Sequence, residues 1–153
     1  MSTPEERIRE LGLELPEVVP PVASYVPTAR TGSLVYTSGQ VPLVKGELGL
    51  TGKVGAEVGA DEAARQARIC ALNCIAALKA ELGDLSRVVR IVKVVGFVAS
   101  APGFHGQPQV VNGASDLLAE VFGDAGKHAR SAVGVAVLPL DVPVEVELIA
   151  EVS

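Results

Sequence analysis

Hydrophobic residues along the chain follow two different periods, and these periods predict both helices and strands. In residues 61–82 and 109–123 they recur every three or four positions, which is the spacing of an amphipathic helix. Gly83 and Gly123 follow these two stripes directly and favour their termination. Elsewhere apolar and polar residues alternate, which is typical of half-buried strands.

Five stretches carry the strand pattern and are rich in β-branched residues. Their bounds are residues 22–30, 33–41, 87–100, 130–138 and 142–152. Gly32 and Ser33 separate the first two stretches and predict a hairpin turn. The resulting order, β-β-α-β-α-β-β, predicts an α+β sandwich in which both helices pack on one face of a mixed sheet. The last two strands are predicted to pair as a closing antiparallel hairpin.

The first 21 residues are predicted to form an extension ahead of a single domain at residues 22–153. Thr3 and Glu6 have the spacing of a capping box, which favours a short helix that begins at Pro4. The connector LPEVVPPVAS that follows contains three prolines and cannot be helical.

Residues 44–59 contain five glycines and are predicted to form a mobile surface loop. A phosphate-binding loop is excluded because five residues, rather than four, separate Gly46 from Gly52. In addition, Lys53 is followed by Val54 instead of a serine or threonine.

Composition and charge indicate which partners and which cellular compartment to expect for this protein. The net charge is −5 and aromatic residues make up 3% of the chain, without a basic cluster or an aromatic ladder, so nucleic acid is not an expected partner. No apolar run approaches the roughly 20 residues of a membrane span. The charged N-terminus lacks an apolar signal segment, and two cysteines suit a reducing compartment, so we expect a cytoplasmic protein.

Metal and thiol chemistry find little support in the sequence. The sequence contains two histidines, His105 and His128, and two cysteines one helical turn apart. Neither a second cysteine pair nor a histidine pair lies near the cysteines at the spacing of a metal site, so no metal is expected. Cys70 and Cys74 lie on or beside the apolar stripe of a predicted helix, where packing is favoured over ligation or catalysis. Nucleophile-elbow and dinucleotide-binding motifs are also absent from the sequence.

Arg130 heads a row of small side chains on one face of strand 130–138. This row consists of Ala132, Gly134 and Ala136. The polar face of strand 142–152 carries Glu145, Glu147 and Glu151. One interpretation is a surface arginine and a solvated acidic face. The other is a binding site, because a guanidinium with small neighbours has room to hold a small carboxylate through two hydrogen bonds.

Three segments resemble the reactive intermediate deaminase (Rid, formerly YjgF) family, which is also labelled endoribonuclease L-PSP. They are YVPTARTGSLVYTSGQVP, VVNGASDLLAEVFGDAG and HARSAVGVAVLPLDVPVEVELIAEV, and together they extend over about residues 22 to 152. The resemblance implies a chorismate-mutase-like sandwich that assembles as a homotrimer with clefts between subunits. It also implies hydrolysis of reactive enamines or imines of the 2-aminoacrylate type to 2-oxo acids and ammonia, without a cofactor.

The resemblance assigns roles to individual residues. Arg130 is expected to bind the substrate carboxylate, and Glu145 to position or activate water. The substrate-binding positions that it implies are Tyr25, Ser38, Gly39 and Asn112. Gly39 would contribute its backbone N–H. Two departures stand beside Arg130, since Ala132 replaces a cysteine of many deaminating members and Gly134 replaces a bulkier residue; the chain resembles a longer branch of the family.

Hairpin geometry predicts that the site is shared between subunits. A turn near Leu140 and Asp141 would place Glu145 opposite Ala136, roughly 20 Å from Arg130 along the strands. One small substrate cannot span that distance, so the active unit is expected to be an oligomer. An alternative function is that of a non-catalytic protein that binds or senses small carboxylates. A ribonuclease fits poorly with the acidic charge, and a chaperone-like function has no sequence feature in its support.

Overall fold

The computed structural model describes residues 2–18 and 23–153. Its helices are α1 (Pro4–Glu10), α2 (Ala60–Leu82) and α3 (Gln107–Phe122). Its strands are β1 (Thr28–Thr31), β2 (Leu34–Thr37), β3 (Val88–Ala99), β4 (Ala129–Val135) and β5 (Val144–Val152). Short 3₁₀ turns cover Leu85–Arg87, Gly123–Gly126 and Pro139–Asp141.

The five strands form one sheet in the order β1-β2-β5-β3-β4. β4 runs parallel to β3, and the other neighbouring pairs are antiparallel. The predicted α+β fold with a mixed sheet is therefore confirmed, as is the hairpin between the first two strands. Both long helices cover the sheet face that carries the alternate apolar residues of β5, and this layer holds the core. Those residues are Val144, Val146, Leu148, Ala150 and Val152.

The predicted closing hairpin is wrong. β4 and β5 follow one another in sequence, but β3 lies between them in the sheet and pairs with both. Glu145 consequently stands beside Phe97 of β3 and not beside Ala136. Alternation fixes which face a residue occupies, but it does not identify the partner strand, because any neighbour with the same period satisfies it.

The two long helices, α2 and α3, approach each other closely at Gly113 of α3. A Cβ atom added at Gly113 would overlap the backbone carbonyl of Ala64 on α2. On the sheet side of α3, Gly96 of β3 leaves room for the side chain of Val111. These two glycines seat α3 against both the sheet and α2, and α3 in turn carries part of the candidate site described below.

The N-terminal helix packs against the core of the domain. Thr3 and Glu6 form the predicted capping box, and each hydrogen bond is 3.1 Å long. Ile8 is 3% exposed and belongs to the core, while Arg7 donates to the carbonyl of Val121. The predicted boundary between residues 21 and 22 lies within residues 19–22, outside the described residues.

The glycine-rich segment 44–59 differs from the predicted mobile loop in its second half. Val54 and Val58 are fully buried. Val54 also accepts a hydrogen bond from Ala101 and donates one to Ala99, at the end of β3. The glycines therefore serve a loop that is fixed to the body of the domain at Val54, while residues 44–47 stay exposed.

Cys70 and Cys74 are core residues, as predicted. Both are completely buried, and each Sγ lies near a carbonyl of β5. Burial raises the pKa of the Cys74 thiol to about 12 and that of Cys70 well above its usual range. A thiolate nucleophile at neutral pH is therefore not available from either residue.

Replacement of both cysteines by alanine is expected to leave catalytic activity unchanged. The variant should lose about 1–3 kcal/mol of unfolding free energy, because two buried sulfur atoms leave unfilled space. Urea unfolding and a turnover assay on the same preparation measure both quantities. A folded double variant without activity would contradict the assignment of these residues to the core.

Candidate functional site

Arg130 lies at the start of edge strand β4, and its side chain reaches across to helix α3. It stands beside Val94 of β3, which is fully buried under the helices, so Arg130 faces the helix layer. Nη1 donates to Asn112 Oδ1 at 2.7 Å and to Ser115 Oγ at 3.2 Å. Nη2 donates to the carbonyl of Pro108 at 3.4 Å. The structure thus brings together two predicted site residues, Arg130 and Asn112.

These contacts leave one edge of the guanidinium free. A guanidinium has five N–H donors, and three of them are used by the three acceptors on α3. The remaining two are Nε–H and the second N–H of Nη2. When both lie on the same side of a guanidinium, such donors are parallel and match the two oxygens of a carboxylate. Within the described residues, no group of the chain accepts from this pair of donors, and no ion pair involves Arg130.

The surroundings of the guanidinium are open to solvent. Pro108, whose carbonyl contacts Arg130, also lines an open hollow of about 530 Å³. Phe104 and His105 form another part of its wall. The hollow therefore lies beside the first turn of α3 and adjoins a residue that Arg130 contacts, while Arg130 itself does not form its wall.

Glu145 lies on the opposite face of the sheet, on the central strand β5. Burial raises the pKa of its carboxyl, and the neighbouring carboxylate of Glu147 raises it further. The backbone of Gly39 packs directly against this side chain, since a Cβ atom at Gly39 would lie 2.5 Å from Glu145 Oε1. A carboxyl with a raised pKa, close to a backbone without a side chain, can exchange a proton with a small bound molecule.

Ser38 holds the backbone beside Glu145. Its Oγ donates to the carbonyl of Val26 at 2.6 Å, and its N–H donates to the carbonyl of Pro27 at 2.8 Å. The hydroxyl of Ser38 is therefore occupied by the chain itself, which fixes the segment that contains Tyr25. Tyr25 is 56% exposed. In the described residues the N–H of Gly39 donates to no other group of the chain and remains available for a ligand.

Within one chain the two groups of predicted site residues do not meet. Arg130 is level with Val94 and Glu145 with Phe97, so they are about 10 Å apart along the strands and about 10 Å apart across the sheet. They also point to opposite faces, because their partners on β3 are three positions apart and side chains alternate between the faces of a strand. The hairpin that suggested a separation of roughly 20 Å was wrong; the observed strand order keeps the two residues apart by a shorter distance and on opposite faces of the sheet.

Two further polar residues join the Arg130 cluster. Ser115 Oγ lies 2.8 Å from His128 Nε2, and His128 Nδ1 lies 2.6 Å from the carbonyl of Gly126. From the sequence, His128 was weighed only as a possible metal ligand, and no role was predicted for Ser115. Their spacing contained a usable signal: Asn112 and Ser115 are three residues apart on one helix, and His128 precedes Arg130 by two residues.

No metal or membrane feature accompanies this site. The described residues contain no group of three or more His, Cys, Asp or Glu side chains that could hold a metal ion. None of the described helices has the length and hydrophobicity needed to cross a bilayer.

A mixed five-stranded sheet covered on one face by two helices, with an unpaired arginine at its edge, defines an α+β protein of the chorismate-mutase-like class. The chain belongs to the YjgF/chorismate mutase-like endoribonuclease family, whose family model matches residues 5–152. The resemblance found in the sequence is thereby confirmed, and membership supports a general role of the Rid or endoribonuclease-like type.

Proteins similar to this chain occur in several organisms. Protein TCP17 of Trypanosoma cruzi is 44% identical over 149 residues, which cover 95% of this chain and 92% of that protein. The structure of Atu1372 from Agrobacterium tumefaciens is 47% identical, with a TM-score of 0.92 over 99% of this chain and 94% of that one. TdcF of E. coli, solved with bound serine, is 29% identical, with a TM-score of 0.65 over 88% and 92% of the two chains.

Proposed function

We propose that the protein hydrolyses reactive enamines and imines of small amino acids, of the 2-aminoacrylate type, to 2-oxo acids and ammonia. The observation that carries this proposal is the free edge of the Arg130 guanidinium, which is held by three acceptors on α3 and pairs with no carboxylate of residues 2–18 or 23–153. Such an edge fits the carboxylate that every 2-imino acid carries.

The chemistry needs one bound carboxylate and one activated water. An enamine first takes a proton at carbon and loses one from nitrogen, which gives the imine. Water then adds to the C=N carbon, and its first proton passes to the nitrogen, so that a carbinolamine forms. The nitrogen takes up a second proton, the C–N bond breaks to release ammonia, and the hydroxyl oxygen loses its remaining proton as the C=O bond forms. Glu145 is suited to move these protons because its raised pKa lies closer to neutrality than that of an ordinary glutamate. The proposed reaction requires neither a metal nor an organic cofactor.

The proposed active unit is a homotrimer with its sites between subunits. In one chain Arg130 and Glu145 face opposite sides of the sheet, so one substrate can contact both when Arg130 comes from one subunit and Glu145 from the next. The uncovered sheet face supports such an assembly, because Tyr36 and Val133 lie on it and remain 42% and 43% exposed. A closed ring of three subunits would contain three equivalent clefts.

Replacement of Glu145 by glutamine tests the reaction. We expect turnover to fall about 100-fold or more, since general acid–base catalysis by one residue commonly contributes that much. Binding of 2-oxobutanoate should stay within about threefold of wild type, because the carboxylate contact on Arg130 is intact. Ammonia release from enzymatically generated imines of several amino acids measures turnover, and calorimetry measures binding.

The matched control for this experiment is Glu151→Gln, which changes a half-buried carboxylate on the same face of β5, six residues away. This variant should keep wild-type turnover. Equal turnover in Glu145→Gln and wild type would disprove the assigned role of Glu145.

A non-catalytic carboxylate-binding protein is the second candidate, and the solved complex of TdcF with serine favours it. A binder would use the same free edge of Arg130 without turnover. The two functions differ in one measurement: binding of 2-oxobutanoate without release of ammonia from any imine tested would identify the binder.

Glu145 should also make the stability of the protein depend on pH. Burial and then Glu147 raise the pKa of Glu145 in the folded state, so the folded protein binds this proton more tightly than the unfolded chain. The free energy of unfolding should therefore fall as pH rises from about 4.3, the ordinary glutamate pKa, through the raised folded value. Glu145→Gln should lack this decrease, and its stability relative to wild type should grow over the same range. Urea titrations at a series of pH values measure the difference, and parallel pH curves for the two proteins would contradict it.

A further inference from the structure

We propose that Ser115 and His128 are positioning residues that orient the Arg130 guanidinium for carboxylate binding. This inference rests on the proposed function and adds two residues to its binding site. Neither side chain has to contact the substrate. Together with the carbonyl of Gly126, they form a continuous chain of hydrogen bonds that ends on Arg130 Nη1.

The direction of this chain follows from the carbonyl of Gly126. A carbonyl oxygen only accepts, so His128 Nδ1, at 2.6 Å from it, must carry a proton. In a neutral imidazole the other nitrogen, Nε2, then has a lone pair and accepts. Ser115 Oγ, at 2.8 Å from Nε2, therefore donates its hydroxyl proton to His128.

The direction of the Ser115 hydroxyl determines what it offers to Arg130. With its proton committed to His128, the oxygen presents its lone pairs to Nη1–H of Arg130 at 3.2 Å. Asn112 Oδ1 accepts the second Nη1 proton at 2.7 Å. Both protons of Nη1 are then engaged, so the guanidinium plane is fixed, while Nε–H has no acceptor among the described residues.

The base of this chain is rigid. Gly126 is buried and its backbone touches α3, since an added Cβ atom would overlap the carbonyl of Leu118. The Gly126 carbonyl therefore occupies a fixed place relative to the helix that carries Ser115. His128 follows Gly126 by two residues and directly precedes β4. Through Ser115, it links the fixed carbonyl to Arg130. A simple packing role would not require both ring nitrogens to have partners at 2.8 Å or less.

Binding of 2-oxobutanoate, measured by calorimetry, tests the inference. We expect Ser115→Ala and His128→Phe each to weaken binding about tenfold, which is the loss of one hydrogen bond to a charged group. Ser115→Thr, which keeps the hydroxyl, should bind within about threefold of wild type. The control Ser33→Ala changes an exposed serine in the β1–β2 turn and should have no effect.

Kinetics and double variants separate positioning from general damage to the fold. The loss in Ser115→Ala should appear as a higher KM with kcat nearly unchanged, because the same carboxylate contact is made in the ground state and in the transition state. His128→Phe should have no further effect in the Ser115→Ala background, since His128 acts through Ser115. Additive losses of binding free energy in the double variant would overturn the inference. A fall in kcat together with a fall in thermal stability would do the same.

Nitrogen-15 NMR gives a readout that does not depend on catalysis. Wild type should show His128 as the Nδ1–H tautomer, and Ser115→Ala should shift its Nε2 resonance. The chain has two histidines, so a His105→Gln variant assigns the signals. An Nε2–H tautomer of His128 in wild type would overturn the proposed direction of the hydrogen bonds.

The binding data also separate failure of this inference from failure of the proposed function. If Arg130→Lys loses binding while Ser115→Ala and His128→Phe bind as wild type does, the positioning role is wrong and the carboxylate site stands. If Arg130→Lys itself binds as tightly as wild type, the proposed function fails, and the positioning role fails with it.

Discussion

Arg130→Lys is expected to lower kcat/KM for an imine substrate about 1,000-fold and to weaken binding of 2-oxobutanoate strongly. The reason lies in the number of donors and their geometry. Arg130 uses three N–H groups to bind α3 and keeps two without an acceptor among the described residues. An ammonium has three donors at a single point, so it can replace the contacts to α3 or hold a carboxylate, but it cannot do both in the native geometry.

The fold should tolerate this change, because Arg130 is partly exposed and belongs to an edge strand. Thermal unfolding of Arg130→Lys checks that the loss of activity does not reflect a loss of structure. Arg30→Lys is the matched control, since Arg30 lies on the opposite edge strand β1 and its exposed side chain donates to the carbonyl of Gly32. Wild-type kcat/KM in Arg130→Lys would remove the observation on which the proposed function rests.

Much of the fold was predictable, because at most elements the hydrophobic pattern and the residues that end helices or strands give the same bounds. The helical stripe that precedes Gly83 became α2, and the stripe that precedes Gly123 became α3. The alternation in residues 142–152 matches the burial pattern of β5, residue by residue. Strand partners were less accessible, since β4 and β5 have compatible periods and a short connection, and neither property shows that β3 separates them.

The candidate site was predictable in its residues but not in its arrangement. Arg130 drew attention because small side chains surround it in sequence, and the structure places Asn112 on it directly. The contacts that Ser115 and His128 make with Arg130 were not predicted, because they depend on where α3 lies relative to β4. That placement follows from close contacts at Gly113 and Gly96, and such contacts between distant segments leave no periodic trace in a sequence.

A mixture of Arg130→Ala and Glu145→Ala chains is expected to regain roughly a quarter of wild-type activity, although each variant alone is inactive. At a shared cleft, Arg130 comes from one subunit and Glu145 from its neighbour. After free exchange at equal concentrations, half of the clefts receive an intact Arg130 and half receive an intact Glu145. The two choices are independent, so roughly one cleft in four contains both intact residues, whatever the number of subunits in the ring.

The arrangement of the single chain makes this experiment decisive. Arg130 faces α3 while Glu145 faces the uncovered side of the sheet, with β3 between their strands. If a site used both residues of one chain, each mixed assembly would contain only damaged sites and no activity would return. Mass spectrometry of isotope-labelled chains can verify that subunits have exchanged, and a mixture held below the exchange temperature serves as the control. Full exchange without recovery, or a monomer with full activity, would show that the two residues do not share a cleft; recovery near a quarter would place the reaction between subunits.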